Sequence, residues 1–308
     1  MSAAHSVDEF EHLDATAQAE LVSAGQVTPS ELVEAAIARL DARNPSLNAV
    51  IHLDLEGARQ RASDGPNDGP FRGIPFVTKD LVAKEAGLPF HEGNAHLKEI
   101  GYTASEDQEY IVRTRRAGLI SLGRTNVPEF GMRPVCEPLA YGPTNNPWDL
   151  SRSPGGSTGG GAAAVAAGIV AIAHANDVGG SIRAPASHNG LVGLKPSRGR
   201  SSLAPDFFDA MGGLAEELVV TRSVRDTALA LDTLASRPYP GDWHPTWPAA
   251  PSYVEASKRD PASLRIGVVA DHLANLSHEH VVATVRTVAE ALEELGHHVD
   301  LSHPEALD

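Results

Sequence analysis

A single cysteine, Cys136, is all that the 308 residues contain. That scarcity removes an internal disulfide framework and any zinc site built on cysteine thiolates. It suits a reducing compartment, so a cytoplasmic location is expected. Basic residues are also in deficit: 25 Lys and Arg stand against 40 Asp and Glu, for a formal net charge of −15. A general nucleic-acid binder needs a basic surface to displace counterions, so no nucleic-acid partner is expected. Met1 to Asp14 carries Asp8, Glu9 and Glu11 and lacks a basic segment followed by an apolar core, so no targeting signal is expected. The longest uncharged run, Ser153 to Asn176, is long enough to invite a membrane reading. It opens with Ser, Pro, Thr and Gly and continues mostly with Ala, so its transfer into lipid is weak. A small-residue helix packed inside a soluble protein explains it better, and no membrane partner is expected.

What is present is ordinary globular composition, with 42% hydrophobic and 21% charged residues. Thr28-Pro29-Ser30-Glu31 combines an N-cap, a Pro at the first helical position and a capping-box Glu. Leu32, Val33, Ala36, Ile37 and Leu40 then form one apolar stripe, and Asn44-Pro45 is expected to stop the helix. Leu47 to Leu53, Ile74 to Val77 and Leu119 to Leu122 read as strands, and Glu106 to Ala117 as an amphipathic helix. Near the end, Leu264 to Val269 reads as a strand and Ser277 as the cap of a helix running to about Leu295. Gly296 stops that helix and His298 to Leu301 forms the next strand. Such a strand–helix–strand unit implies a parallel crossover. The expected fold class is α/β, with a mixed, mainly parallel twisted sheet covered by helices on both faces.

Three segments carry the chemistry. Arg72 to Asp80 places Lys79 at the end of an apolar strand. Ser153 to Gly161 and Asn176 to Arg183 each set a serine, Ser157 or Ser181, among glycines, where backbone N–H groups can point inward. An oxyanion hole needs such donors beside a nucleophile. Neither a G-x-x-x-x-G-K-[ST] nor a G-x-G-x-x-G pattern occurs, which excludes the Walker loop and the dinucleotide fingerprint. Gly155 to Gly159 fits G-x-S-x-G, but that elbow needs an apolar strand before it. Asn146 to Pro154 cannot be one.

Gly-Gly-Ser-Thr-Gly-Gly from Gly155, Val-Gly-Gly-Ser-Ile-Arg-Ala-Pro-Ala from Val178 and Gly-Leu-Lys-Pro-Ser-Arg-Gly-Arg from Gly193 together resemble the amidase signature family. Gly73-Ile74-Pro75 to Lys79-Asp80, Gly123 to Phe130 and Gly142 to Trp148 are similar to that family as well. The resemblance spans nearly the whole chain and is densest over 72–200. It implies a single amidase domain over 1–308, with an N-terminal helical segment 1–65 and a signature core 72–200. It also implies a Ser–Ser–Lys triad. Ser181 would form the acyl-enzyme, Ser157 would bridge after a cis peptide at Gly156, and Lys79 would be the base. A serine hydroxyl is a poor nucleophile until a neighbour takes its proton. A lysine can do so only when neutral, so burial must lower its pKa from ~10.4 towards ~7–8.

Val178, Gly179 and Gly180 would aim N–H groups at the tetrahedral oxygen, and Asp177 and Arg183 would hold the loop as a buried pair. The resemblance implies an amidase that hydrolyses a small-molecule carboxamide to an acid plus ammonia or an amine, with no metal or organic cofactor. It leaves a homodimer open beside a monomer. Thr158 stands where the family usually has a second serine; its hydroxyl is expected to keep the hydrogen bond. His174-Ala175-Asn176-Asp177 looks more like the branch that contains nylon-oligomer (6-aminohexanoate cyclic dimer) hydrolases, which hints at a linear or cyclic amide. Members usually exceed 400 residues, so truncation after Asp308 is expected. Two alternatives share these motifs: the glutamine-hydrolysing subunit of a tRNA-dependent amidotransferase, and a truncated, inactive amidase fragment. Cys136 is expected to be inert. His272, His278 and His280 lack the spacing of a metal motif, so no metal is expected.

Overall fold

The computed structural model describes residues 9–208, 210–235, 239, 252–270 and 277–302. It divides into two units, Met1–Ser257 and Lys258–Asp308. The first begins with helices α1 (Ala15–Ser23) and α2 (Pro29–Leu47), strand β1 (Val50–Leu53) and helix α3 (Leu55–Asp64). Strand β2 (Pro75–Lys79), helices α4 (Ala95–Glu99) and α5 (Glu109–Arg116) and strand β3 (Ile120–Thr125) follow. Then come helix α6 (Gly159–Ala166), strand β4 (Ile172–Asp177), helix α7 (Arg183–Asn189), strands β5 (Val192–Gly193) and β6 (Glu216–Thr221), and helices α8 (Val224–Leu234) and α9 (Tyr253–Ser257).

These strands form one sheet in the order β1-β3-β2-β4-β6-β5. β2 pairs in parallel with β3 and β4, whereas β1 is antiparallel to β3, and β6 is antiparallel to β4 and β5. Thus β2, β3, β4 and β5 run one way, and β1 and β6 the other. This is the mixed, mainly parallel α/β sheet expected from the sequence, flanked by helices α2, α3, α6 and α8. Every residue of β2, β4 and β6 is buried, as central strands covered by helices must be. The sheet therefore brings polar side chains to one end of its central strands: Lys79 ends β2, Asn176 and Asp177 end β4, and these two pair with Glu217 and Glu216 of β6.

The capping box at Thr28 forms as read, with Glu31 closing on the Thr28 amide at 2.7 Å. Asn44-Pro45, however, does not stop α2. Pro45 lies inside the helix, which runs to Leu47 and ends at Asn48 in the left-handed conformation (φ 51°). Asn44 makes this possible. Its side chain accepts from the Ala49 and Val50 amides and donates to the Val50 carbonyl, so it satisfies the turn after the proline. The strand expected from Leu47 consequently begins only at Val50.

The uncharged run becomes α6 and β4. Gly160 shows why glycine is needed there: a Cβ would stand 2.4 Å from the Ala49 carbonyl oxygen and 2.5 Å from the Asn126 nitrogen. Close backbone approach, rather than flexibility, selects the small residues. Among the described residues, no helix is long and apolar enough to cross a membrane.

In the second unit, β7 (Arg265–Val268) and β8 (His298–Leu301) flank helix α10 (Glu279–Glu294) and pair in parallel, as the sequence suggested. The helix is capped by His278, whose ring accepts from the His280 amide, and not by Ser277. No residue of α10 is buried.

Candidate active site

Lys79 is completely buried, and each of its polar groups is held. Its amide donates to His174 Nδ1 at 3.3 Å, and its carbonyl accepts from Arg124 Nη2 at 3.0 Å. Arg124 is itself buried and paired with Asp80 at 3.0 Å. The side chain reaches Ser157 Oγ at 2.7 Å, Asn176 Oδ1 at 2.5 Å and the Asn176 carbonyl at 3.4 Å. Asn176 presents its oxygen because its amide nitrogen donates to the Leu81 carbonyl. Nζ thus donates to three oxygens, of which only the Ser157 hydroxyl could in turn donate to a neutral amine's lone pair. Burial pushes the Lys79 ammonium down to about 7, against Glu217 and Asp177, whose charges pull it back up.

Ser157 follows a cis peptide bond after Gly156. A Cβ on Gly156 would lie 2.7 Å from the Arg133 carbonyl oxygen, so only glycine lets the loop pack there. On the other side lies Gly131, where an added Cβ would stand 3.4 Å from Ser157 Oγ. The Thr158 hydroxyl does not keep the hydrogen bond expected of it: Oγ1 is buried without a partner. Its methyl instead faces Gly161, where a Cβ would sit 3.2 Å away. The Thr158 amide carries the connection, donating to the Ser181 carbonyl at 3.3 Å.

Ser181 stands in the turn between β4 and α7 and is half-buried. Its Oγ has no hydrogen-bond partner among the described residues, and none links it to Ser157. The turn is organised by Asp177. One carboxylate oxygen accepts from the Gly180 amide and Arg183 Nη2; the other accepts from the Ile182 and Arg183 amides and Arg183 Nε. Burial raises the Asp177 carboxyl, but these hydrogen bonds, with Arg183 foremost, outweigh it and hold the group below the usual range. Two expectations need correction. The Asp177–Arg183 pair is not buried as a pair, because the Arg183 side chain is 52% exposed. The Gly180 N–H, expected to be free for the tetrahedral oxygen, donates to Asp177 Oδ1 at 2.8 Å. Val178 and Gly179 keep N–H groups with no acceptor among the described residues, as does Ser181 itself.

Beside Gly131 and Gly156, a cavity of about 760 Å³ is lined by Glu129, Phe130, Met132, Arg133, Val135 and Leu139, among others. Cys136 is buried nearby, and burial pushes its thiol up to about 12. Of the three histidines considered for a metal, His272 lies outside the described residues, and His278 and His280 are exposed. Among the described residues, no three His, Cys, Asp or Glu side chains could hold a metal together. Asn176 was not singled out from the sequence, because an amide side chain beside Asp177 carries no catalytic signature. Its role depends on Lys79 arriving from another strand.

The same arrangement of loops on the same sheet recurs elsewhere. The 6-aminohexanoate-cyclic-dimer hydrolase of Paenarthrobacter ureafaciens is 44% identical over 305 residues, which is 96% of this chain and 60% of that one. The structure of a 6-aminohexanoate cyclic dimer hydrolase complexed with substrate superimposes with a TM-score of 0.91 at 43% identity, covering 96% of this chain and 61% of that one. A bacterial aryl acylamidase of the amidase signature family matches with a TM-score of 0.85 at 32% identity, over 93% and 60% of the two chains. This chain thus spans about 60% of the length of these relatives. The amidase family profile matches residues 31–308, and with the sheet and both serine loops in place the chain belongs to the amidase family.

Proposed function

We propose that this protein is an amidase, which hydrolyses a small-molecule carboxamide to a carboxylic acid and ammonia or an amine through an acyl-serine intermediate. The observation that carries the reading is the 2.7 Å contact between the buried Lys79 Nζ and Ser157 Oγ, with Asn176 occupying the remaining donors. In the first step Ser181 Oγ attacks the amide carbon. Its proton passes to Ser157 Oγ, and the Ser157 proton passes to Lys79 Nζ. The N–H groups of Val178 and Gly179 receive the negative oxygen. Collapse of the tetrahedral species breaks the C–N bond, and the proton returns along the same path to the leaving nitrogen. Water then attacks the Ser181 ester with Lys79 again as base, releasing the acid and restoring the enzyme. The free Ser181 hydroxyl is compatible with this sequence, since catalytic hydrogen bonds often tighten only when substrate binds.

The substrate class we propose is a linear or cyclic aliphatic amide. Similarity to hydrolases named for the cyclic dimer of 6-aminohexanoate supports it. We place the activity in the cytoplasm, without a metal or organic cofactor. The 44% identity with a 6-aminohexanoate-cyclic-dimer hydrolase favours this over an amidotransferase subunit. The competing reading is an inactive piece of an amidase.

A fluorophosphonate probe tests the choice. Labelling at Ser181 that disappears in Ser181→Ala and Lys79→Ala is the expected result. A folded sample that takes up no label decides for the inactive piece.

A further inference from the structure

One buried carboxylate has no part in the steps above. Glu217 and His174 are both fully buried, on neighbouring antiparallel strands. His174 Nδ1 accepts the Lys79 amide, so that nitrogen carries no proton and a neutral ring must carry it on Nε2. Burial keeps the ring neutral by pushing its pKa down, against the pull of Glu217. Nε2 lies 3.4 Å from Glu217 Oε1 without hydrogen-bond geometry, and neither atom has a hydrogen-bond partner among the described residues. The second Glu217 oxygen accepts from Gln108 Nε2 at 3.0 Å. The Tyr110 ring packs against His174 with centroids 4.8 Å apart, and its hydroxyl donates to the Leu218 carbonyl. A dry chain of contacts therefore runs from Gln108 through Glu217 and His174 to the Lys79 main chain.

Purely structural packing would account for a buried histidine. It does not account for the charge beside it. Lys79 is surrounded by Asp177 at the end of β4, His174 within β4, Glu217 from β6 and Cys136 from the loop after Gly131, while Asp80 and Arg124 lie against its main chain. On the far side lies Tyr110 of α5, which feels the charges of both Glu217 and Arg113. Asp80 pairs with Arg124 and Asp177 with Arg183, and the Cys136 thiol is neutral. Asp177 and Glu217 are the carboxylates whose charge reaches Lys79, and of the two only Glu217 faces a neutral ring instead of a cation. Burial by itself would drive the lysine further down than about 7; Glu217 is among the groups that hold it up.

We infer that Glu217, acting through His174, is a positioning residue for Lys79: it orients the ring that holds the Lys79 amide, and its charge sets the pH at which Nζ releases its proton. The inference rests on Lys79 being the base. Its test does not require turnover. Lys79, Lys84, Lys98, Lys195 and Lys258 are the only lysines, so ¹³Cε-lysine NMR of the full chain gives a short spectrum, in which Lys79→Met assigns the signal. In the parent protein Lys79 is expected to titrate near neutrality. In Glu217→Gln its midpoint should fall by on the order of one pH unit, and Glu217→Asp should recover part of that shift.

A folded Glu217→Gln with an unmoved Lys79 midpoint overturns the inference while leaving the base assignment intact. A lysine signal in the parent protein that titrates like a solvated amine overturns the base assignment first, before any substitution. Should Glu217→Gln not fold, ¹⁵N-histidine NMR of the parent decides. His174, assigned by His174→Gln, is expected as the Nε2–H tautomer, and protonation at Nδ1 would overturn the proposal.

Discussion

The two ends of the candidate proton path are built in opposite ways. At Lys79 every polar group has a partner and no water reaches the side chain. At Ser181 the hydroxyl is free, the residue is half-buried, and the flanking Val178 and Gly179 amides have no protein acceptor among the described residues. A base whose pKa must be lowered needs burial, and burial demands complete satisfaction of its donors. A nucleophile and an oxyanion hole must leave their groups free for the substrate. The difference lies in which elements carry them: Lys79 ends a central strand, whereas Ser181 sits in a turn beyond one.

This contrast can be broken most severely by removing either end. Ser181→Ala should abolish labelling and turnover, and Lys79→Ala should lower the labelling rate by roughly 10²–10⁴-fold, the usual worth of a general base. Full activity in Ser181→Ala would remove the nucleophile assignment. On the buried side, Arg124→Met leaves Asp80 without its cation and the Lys79 carbonyl without its donor. A stability loss of about 3–5 kcal/mol in chemical denaturation is expected, because the remaining charge stays buried and uncompensated.

The pH dependence of stability sharpens the same point. The folded Lys79 pKa of about 7 lies below its unfolded value, so between these limits the unfolded chain holds the extra proton. Stability should therefore rise with pH from about 7 to about 10, by up to roughly 4 kcal/mol from this residue. Denaturation curves of the parent and Lys79→Met at both ends of that window test it; equal slopes would mean that Lys79 titrates normally. Asn176→Asp adds a negative charge against Nζ and should move half-maximal labelling of Ser181 to higher pH by about 1 unit or more. The smallest effect belongs to the exposed end: Arg183→Ala should cost only about 1 kcal/mol or less, since its half-exposed side chain is screened by solvent. A larger loss would show that the Asp177 turn depends on Arg183 more than on the backbone amides.

Much of this was legible in order along the chain. Thr28-Pro29-Glu31 marked the start of α2, and the run from Leu264 to Leu301 announced a parallel strand–helix–strand unit. The lysine after an apolar strand and the two serines among glycines pointed to the candidate site. The end of α2 was misread because Pro45 normally ends a helix by denying a donor. Here the Asn44 side chain supplies and accepts what the turn requires, and that depends on where Val50 lies. The hydrogen bond from the Gly180 amide to Asp177 was hidden for a similar reason: a glycine has no side chain to reveal it.

Sequence by itself determined the chemistry available: a lysine, two serines, flexible glycines and no thiol framework or basic surface. Local pattern also determined most helices and strands, because capping and periodicity act over a few residues. Only the tertiary structure decided the protonation balance of the site. Asn176 meets Lys79 only because β2 and β4 are neighbours, and Glu217 acts on it only because β6 lies beyond β4. Desolvation and Coulomb interaction depend on distances through space, and those are fixed by strand order, which no local stretch of sequence records.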